Sequence, residues 1–120
     1  MLKKKYLLVF ATTPLKSTLA EEGLDMALAL SALEQTISLL FMQSGIYLLL
    51  KNQDLSLASR KQFIDTFKAL EWYDINDIYI DEDSLLKQPS SLEALTISPR
   101  IIPHRQLESF YNSFDIILRY

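Results

Sequence analysis

No loop of this sequence contains a persuasive set of catalytic side chains. His104 is the single histidine and stands between Pro103 and Arg105. No serine motif, second histidine or carboxylate accompanies it at a spacing typical of catalysis or metal binding. We therefore interpret His104 as a surface residue at the start of a helix. Cysteine is absent, which excludes disulfides, thiolate metal sites and a thiol nucleophile.

An acidic triplet occupies positions 81–83. Carboxylate oxygens bind hard cations such as Ca²⁺, but a binding loop needs further ligands spaced along the chain. Three adjacent acids without such ligands are typical of a solvated loop. The sequence therefore predicts neither a metal site nor a catalytic residue at this triplet.

A hydroxyl-rich loop at positions 12–18 precedes a predicted helix, as in phosphate-binding loops of the flavodoxin kind. It lacks a glycine that would let backbone N–H groups approach a phosphate. Glu21 and Glu22 already occupy the positive end of the helix dipole, and Thr18 with Glu21 matches a capping box. We therefore predict helix capping and no cofactor, with a flavin- or nucleotide-binding enzyme as the alternative.

Composition restricts the class of protein. A chain of 120 residues, 49% hydrophobic and with two glycines, is typical of one globular domain, which we assign to residues 1–120. The net charge of −3 argues against direct nucleic-acid binding. Residues 43–45, "QSG", interrupt the longest apolar stretch, so it is too short to span a membrane. No convincing signal-peptide cleavage site follows the first apolar run, and we expect a cytoplasmic protein.

Hydrophobic patterning alternates between strand and helix periods. Apolar runs predict five strands, and the 3.6-residue period predicts three helices. The predicted strands cover residues 6–11, 36–42, 78–80, 92–97 and 114–120, and the helices cover about 19–34, 57–70 and 103–112. Residues 43–45 are predicted to form a turn. This alternation predicts an α/β fold, a three-layer α/β/α sandwich with a mostly parallel five-stranded sheet and residues 6–11 as its central strand.

The first predicted helix carries more apolar residues than one face can hold. One row contains Leu24, Ala27, Leu28 and Ser31, and a second contains Met26, Leu30 and Leu33. The second row is explained either by contact with another polypeptide or by deep burial of the helix within the sandwich. The predicted contact residues, which include the run after Gly45, are Met26, Leu30, Leu33, Ile46 and Tyr47.

Three segments resemble the DsrE/DsrF-like sulfur-relay family, and within it the TusC (DsrF-like) branch. They are "EGLDMALALSAL" at 22–33, "FKALEWYDI" at 67–75 and "FDIILRY" at 114–120. The resemblance extends from the first strand to Tyr120. It implies a DsrE/F-like domain and a subunit of a heterohexamer with TusB-like and TusD-like chains. Such complexes pass persulfide sulfur towards 2-thiouridine at the tRNA wobble position.

The resemblance also implies which chain carries the sulfur. In that scheme the carrier cysteine belongs to the TusD-like chain, near the end of its third strand. The matching region here is about residues 80–83, "IDED", which contains no thiol. Because sulfane sulfur is transferred between thiolates, this chain is predicted to be a non-catalytic subunit. A self-associating homo-oligomer of the same family remains a second alternative.

Overall fold

A computed structural model of the chain describes residues 3–12, 19–49, 75, 77–87 and 99–120, without the side chains of 47–49. Its five strands pair in parallel in a single sheet, in the order β4-β3-β2-β1-β5. They are β1 Lys5–Phe10, β2 Thr36–Phe41, β3 Ile78–Asp81, β4 Arg100–Ile102 and β5 Ile116–Arg119. The predicted α/β fold with a parallel five-stranded sheet is confirmed, and every strand pair described is parallel.

The strand predictions differ from the structure at two places. β1 is an interior strand between β2 and β5, but the middle of the sheet is β2. The strand predicted at 92–97 lies outside the described residues. The described fourth strand is Arg100–Ile102, a three-residue edge strand that no pattern predicted, because its apolar part is only two residues long and lies between two prolines.

Three α-helices and two 3₁₀ segments join the described strands. The helices are α1 Leu19–Ala32, α2 Glu82–Leu86 and α3 Leu107–Asn112, and the 3₁₀ segments are Gln43–Leu49 and His104–Gln106. The turn predicted at 43–45 is thus the start of a longer 3₁₀ segment, and the helix predicted from Pro103 begins with a 3₁₀ turn. The helix predicted at 57–70 lies outside the described residues. No helix in the described part of the chain is long and apolar enough to cross a membrane.

The end of α1 is set by its backbone hydrogen bonds. The Glu34 N–H donates to the Ser31 carbonyl at 3.0 Å, and the Gln35 N–H donates to the Leu30 carbonyl at 3.1 Å. This pair of bonds defines a Schellman motif, in which the residue after the cap adopts left-handed geometry. Glu34 does so with φ of 60°. The helix therefore stops at Ala32, two residues before the predicted end.

Side chains of each strand alternate between two core clusters, one on each face of the sheet. On the first face, Leu8, Phe10, Leu39 and Phe41 pack against the buried row of α1. On the second face, Leu7, Val9 and Leu40 pack against Leu107 of α3. We call these the α1 face and the α3 face. The predicted covering of both faces by helices is confirmed for the described elements.

Gly45 permits a close approach between the end of β1 and the segment after β2. A Cβ at this position would lie 1.8 Å from the carbonyl oxygen of Phe10, so only glycine fits. The Met42 N–H donates to that same carbonyl at 3.0 Å, and the Gly45 N–H donates to the Met42 carbonyl at 2.9 Å. These contacts fix the chain at the carboxyl ends of β1 and β2.

Candidate functional site at the carboxyl ends of the strands

Because all described strands are parallel, their carboxyl ends meet at one edge of the sheet, where α/β proteins usually bind ligands. Asp81 is the last residue of β3, and Arg119 is the last residue of β5. Side-chain alternation places both on the α3 face, since their neighbours Ile80 and Leu118 belong to the α1-face cluster. Tyr111 of α3 packs against the α3-face cluster. Residues from three elements therefore converge at this edge.

Asp81 is buried, and among the described residues one hydrogen bond is made to its carboxylate. It is 4% exposed, and its Oδ2 accepts from the Ser84 hydroxyl at 2.9 Å. The Ser84 Oγ in turn accepts from the Gln43 N–H at 2.7 Å. Oδ1 of Asp81 has no hydrogen-bond partner among the described residues. The end of β3 thus presents a negatively charged group with one unused acceptor in an enclosed position.

Gln43 connects this group to β5. It has left-handed backbone geometry, with φ of 51°, which is uncommon for a residue with a side chain. Its Oε1 accepts a hydrogen bond from Nη2 of Arg119 at 3.1 Å, and its N–H donates to Oγ of Ser84. The unusual backbone of Gln43 therefore accompanies two polar contacts that join the ends of β3 and β5.

Tyr111 completes the cluster from the α3 side. Its hydroxyl donates to the Met42 sulfur at 3.6 Å, and thioether sulfur is a weak acceptor. Burial raises the pKa of the Tyr111 phenol, the charge of Asp81 raises it further, and the charge of Arg119 lowers it. The phenol is therefore close enough to both charged groups to respond to them, and it is held in its neutral form.

The acidic triplet is not the solvated loop that the sequence predicted. Asp81 is buried at the end of β3, and the two acids after it begin α2. Oδ2 of the third acid, Asp83, lies 3.2 Å from Nδ1 of His104. His104 is exposed in the 3₁₀ turn after Pro103, so its interpretation as a surface residue at a helix start is confirmed. The loop prediction was wrong because the strand continues one residue beyond its apolar run.

The predicted phosphate-type loop is described only at its first residue. Thr12 has a buried Oγ1 with no hydrogen-bond partner among the described residues, and positions 13–18 lie outside them. The capping box of Thr18 therefore stays a prediction. In the described part of the chain, no three histidine or acidic side chains are grouped so as to hold a metal ion.

The predicted contact residues separate into two groups. Met26 is 39% exposed and Leu33 is 55% exposed, so both present apolar surface to solvent. Leu30 and Ile46 instead belong to the α1-face cluster, because Leu30 is on the sheet-facing side of α1 and Ile46 is fully buried within the 3₁₀ segment after β2. The side chain of Tyr47 lies outside the described part. The second row of α1 is therefore split between core and surface, and contact with a partner stays a prediction.

Sequence reasoning missed the polar cluster for identifiable reasons. Asp81 and Ser84 are three residues apart, which is the spacing of a side-chain contact across a helix start. That spacing could have indicated a contact between Asp81 and Ser84. It was overlooked because Asp81 was considered only together with the two acids that follow it. The convergence of Tyr111, Arg119 and Gln43 had no sequence signal, because these residues are far apart in the chain and only the strand order brings them together.

Comparison with known proteins agrees with this architecture. Residues 4–89 match the model of the DsrE/DsrF-like family. A protein described as a TusC homolog, from Vibrio vulnificus, is 31% identical over 110 residues, covering 91% of this chain and 93% of that protein. The crystal structure of the YchN protein from E. coli has a TM-score of 0.77 at 17% identity, covers 99% of this chain and 100% of that chain, and shows the fold alone. The chain therefore belongs to the DsrE/DsrF-like family.

Proposed function

We propose that this protein is a non-catalytic subunit of a sulfur-relay complex of the TusBCD type, which supports persulfide transfer for 2-thiouridine formation at the tRNA wobble position. One observation carries the proposal. The end of β3, where the resemblance places the cysteine of the carrier chain, holds the buried carboxylate of Asp81, and the chain contains no cysteine anywhere. The similarity to a TusC homolog supports the same role.

The chemistry at this position explains why the subunit does not carry sulfur itself. A persulfide forms when a thiolate attacks a sulfane sulfur and keeps it as a covalent S–S bond. The oxygen side chains of Asp81 and Ser84 form no such intermediate. A persulfide is also anionic at neutral pH, so a nearby buried carboxylate repels it. The position is therefore unsuited to the carrier role in both reactivity and charge.

The partners in this proposal are TusB-like and TusD-like chains in a heterohexamer, in the cytoplasm. The chain contributes a single DsrE/F-like domain, residues 1–120, and apolar surface such as Met26 and Leu33. Neither a cofactor nor a membrane is part of the proposed role. The sulfur-carrying thiolate comes from the TusD-like chain, which this subunit holds in a productive position.

Co-expression with TusB-like and TusD-like chains from the same genome tests the proposal. We expect the three chains to co-purify with a native mass equal to two copies of each. Removing this chain should abolish transfer of radiolabelled persulfide sulfur from a cysteine desulfurase to the next acceptor protein. A stable pure chain that accepts the label without partners would overturn the proposal, and so would a complete relay without this chain.

A separate measurement distinguishes the flavin- or nucleotide-binding alternative. The purified chain is denatured, and the supernatant is examined by absorbance and by mass spectrometry. We expect neither flavin nor nucleotide in amounts comparable with the protein. A stoichiometric release of either would favour the enzyme alternative over the relay subunit.

A further inference from the structure

The sheet has two edge strands, β4 and β5, which differ in how well they are protected from pairing with another chain. β4 is three residues long and lies between Pro99 and Pro103, and both short length and proline protect an edge. β5, Ile116–Arg119, contains neither proline nor lysine. In the described part of the chain its strand partner is β1 alone. Among the described residues, the outer edge of β5 is therefore left unpaired.

The backbone hydrogen bonds at the end of β5 show which groups face this outer edge. The Tyr120 N–H donates to the Val9 carbonyl at 2.7 Å, and the Ala11 N–H donates to the Tyr120 carbonyl at 2.7 Å. Tyr120 therefore directs both of its backbone groups towards β1. In a parallel pair every second residue does so. The N–H and C=O groups of Ile117 and Arg119 consequently point away from β1, towards the outer edge.

The side chains along β5 place an apolar residue between two opposite charges. Ile117 is 45% exposed, Asp115 directly precedes the strand, and Arg119 ends it. All three are exposed, and their two-residue spacing directs them to one face of the strand. Asp115 and Arg119 are four residues apart, which is about 13 Å along a strand. The two charges therefore do not reach each other within one chain.

This arrangement complements itself when a second copy of β5 lies antiparallel to the first. With a twofold axis at Ile117, the two Ile117 residues are directly opposite and exchange both N–H···O=C hydrogen bonds. Asp115 of each copy then lies opposite Arg119 of the other. Residues opposed in this way have Cβ atoms about 5 Å apart, so that opposite charges stabilise the pair. Such self-complementarity is the requirement for an isologous contact.

Both charged side chains retain groups that can make this contact. Oδ2 of Asp115 accepts from the Lys5 N–H at 2.8 Å, which leaves Oδ1 as an acceptor. Nη2 of Arg119 donates to Oε1 of Gln43 at 3.1 Å, and a guanidinium has five N–H donors in all. In the described part of the chain neither residue forms an ion pair. The two existing hydrogen bonds orient the charges in advance, which lowers the entropy lost on pairing.

The same charges select one register among the possible ones. A twofold axis at Leu118 also uses the outward backbone groups, but it places Ile117 opposite Arg119 and leaves Asp115 without an opposite charge. A twofold axis at Arg119 would bring two guanidinium groups together, which is destabilising. The register centred on Ile117 is therefore the one in which every charge lies opposite its complement.

We infer that β5 of this chain pairs antiparallel with β5 of a second copy, about a twofold axis at Ile117, and joins the two sheets into one continuous sheet. Two four-residue strands bury much less than a standard interface of about 1,600 Å², so we expect the pure chain to associate weakly. The contact uses neither Met26 nor Leu33, the apolar surface assigned above to the relay complex. It does not depend on the proposed relay function.

Single-cysteine variants test this pairing directly, because the natural chain has no cysteine that could react. Under mild oxidation of the pure chain, Ile117→Cys should form a disulfide-linked dimer, since Cα atoms in a hydrogen-bonded pair are about 5.5 Å apart. Arg119→Cys alone should not. A mixture of Asp115→Cys and Arg119→Cys should form mixed dimers. Met26→Cys is the matched control, because its side chain is 39% exposed on α1.

Three other outcomes would each overturn the inference. Linkage of Met26→Cys as fast as that of Ile117→Cys would show random collision. Linkage of an Ile117→Cys and Arg119→Cys mixture in preference to Ile117→Cys alone would show the register centred on Leu118. Linkage of Ile117→Cys to a co-expressed TusB-like or TusD-like chain, but not to itself, would show that a sister chain pairs with β5. Because the first two experiments use the pure chain, their failure leaves the co-purification test of the relay function unaffected.

A proline substitution tests the backbone hydrogen bonds. Ile117→Pro removes an N–H that faces away from β1, so it should retain the fold and weaken the dimer at least about tenfold, because symmetry removes two hydrogen bonds. Ile117→Thr keeps that N–H and is the matched control. Sedimentation equilibrium measures association, and thermal unfolding by circular dichroism checks the fold. A folded Ile117→Pro variant that dimerises as tightly as Ile117→Thr would contradict the strand pairing.

Charge reversal tests the register independently. Asp115→Lys and Arg119→Glu should each dimerise about two- to tenfold more weakly than the natural chain, because each variant opposes like charges. A mixture of the two variants should associate with about the natural affinity, because the charges of one complement those of the other. A mixture no tighter than either variant alone would contradict the register. Circular dichroism is needed for Asp115→Lys, which also removes the acceptor of the Lys5 N–H.

Discussion

The two faces of the sheet are built differently, although the same strands supply both. The α1-face cluster contains twelve buried residues and the α3-face cluster contains four among the described residues. Half-buried aromatic rings complete the α3 face, with Tyr79 and Phe110 at a ring-centroid distance of 4.7 Å. This face also carries the polar cluster of Asp81, Tyr111 and Arg119. Among the described residues, the α1 face therefore supplies most of the buried apolar packing, and the α3 face supplies the polar groups at the sheet edge.

The largest expected difference comes from removing one aromatic ring from each face. Phe41 is fully buried on the α1 face and stacks on Phe10 at 5.1 Å, so Phe41→Ala should lower the free energy of unfolding by about 3–5 kcal/mol. Phe110 on the α3 face is only half-buried, so Phe110→Ala should cost about half as much. Guanidinium denaturation measures both. Equal losses would show that the two faces contribute equally to stability.

Adding one methyl group tests how tightly the α1 face is packed. A Cβ on Gly23 would lie 2.6 Å from a ring carbon of Phe10 and 2.8 Å from the Tyr120 ring. Gly23→Ala should therefore destabilise the fold by about 1–3 kcal/mol, although alanine has the better helix propensity. Asp25→Ala, at an exposed position of the same helix, is the matched control and should change stability by at most about 0.5 kcal/mol. A Gly23→Ala variant more stable than the natural chain would show that the Phe10 and Tyr120 rings move aside at little cost.

On the α3 face, two substitutions at one position separate the hydrogen bond from the charge. Asp81→Ala removes the acceptor of the buried Ser84 hydroxyl and should cost about 1–3 kcal/mol in the free energy of unfolding. Asp81→Asn keeps an acceptor and removes a buried charge, so it should be close to neutral or stabilising. Thermal and urea denaturation at pH 7 measure both variants. A larger loss of unfolding free energy in Asp81→Asn than in Asp81→Ala would mean that the charge itself is stabilising.

The smallest expected effects concern one tyrosine on each face. Burial raises the pKa of both Tyr111 and Tyr120. The charge of Asp81 raises the pKa of Tyr111 further, and the charge of Glu22 raises the pKa of Tyr120 further. Asp81→Asn should therefore lower the pKa of Tyr111 alone, and Glu22→Gln should lower that of Tyr120 alone. Tyrosinate absorbance, compared with Tyr111→Phe and Tyr120→Phe variants, assigns each transition. Movement of both transitions by either substitution would show that the two sites are coupled.

These tyrosines also make stability depend on pH in a defined direction. Because their folded-state pKa values lie above the unfolded value of about 10, the native state favours the protonated phenol. Their contribution is fully present below pH 10 and is lost as pH rises through the higher folded-state values. The denaturation midpoint of the natural chain should decrease as pH rises through that alkaline range. The midpoint of the Tyr111→Phe/Tyr120→Phe double variant should decrease less.

Strand periodicity identified β1, β2, β3 and β5 because each is a short apolar run bounded by polar residues. It did not identify β4, whose three residues lie at the sheet edge. The two apolar rows of α1 were also visible in the sequence. Their roles were not, because helical spacing shows which side chains share a face but not which face the sheet covers.

The sequence by itself determined the parallel α/β class and the absence of any thiol chemistry, since buried strands and cysteine content are local properties of the chain. Only the tertiary structure decided that Asp81 is buried while Met26 and Leu33 are exposed. The reason is physical: burial depends on strand order and helix orientation, which arise from contacts between residues far apart in the chain.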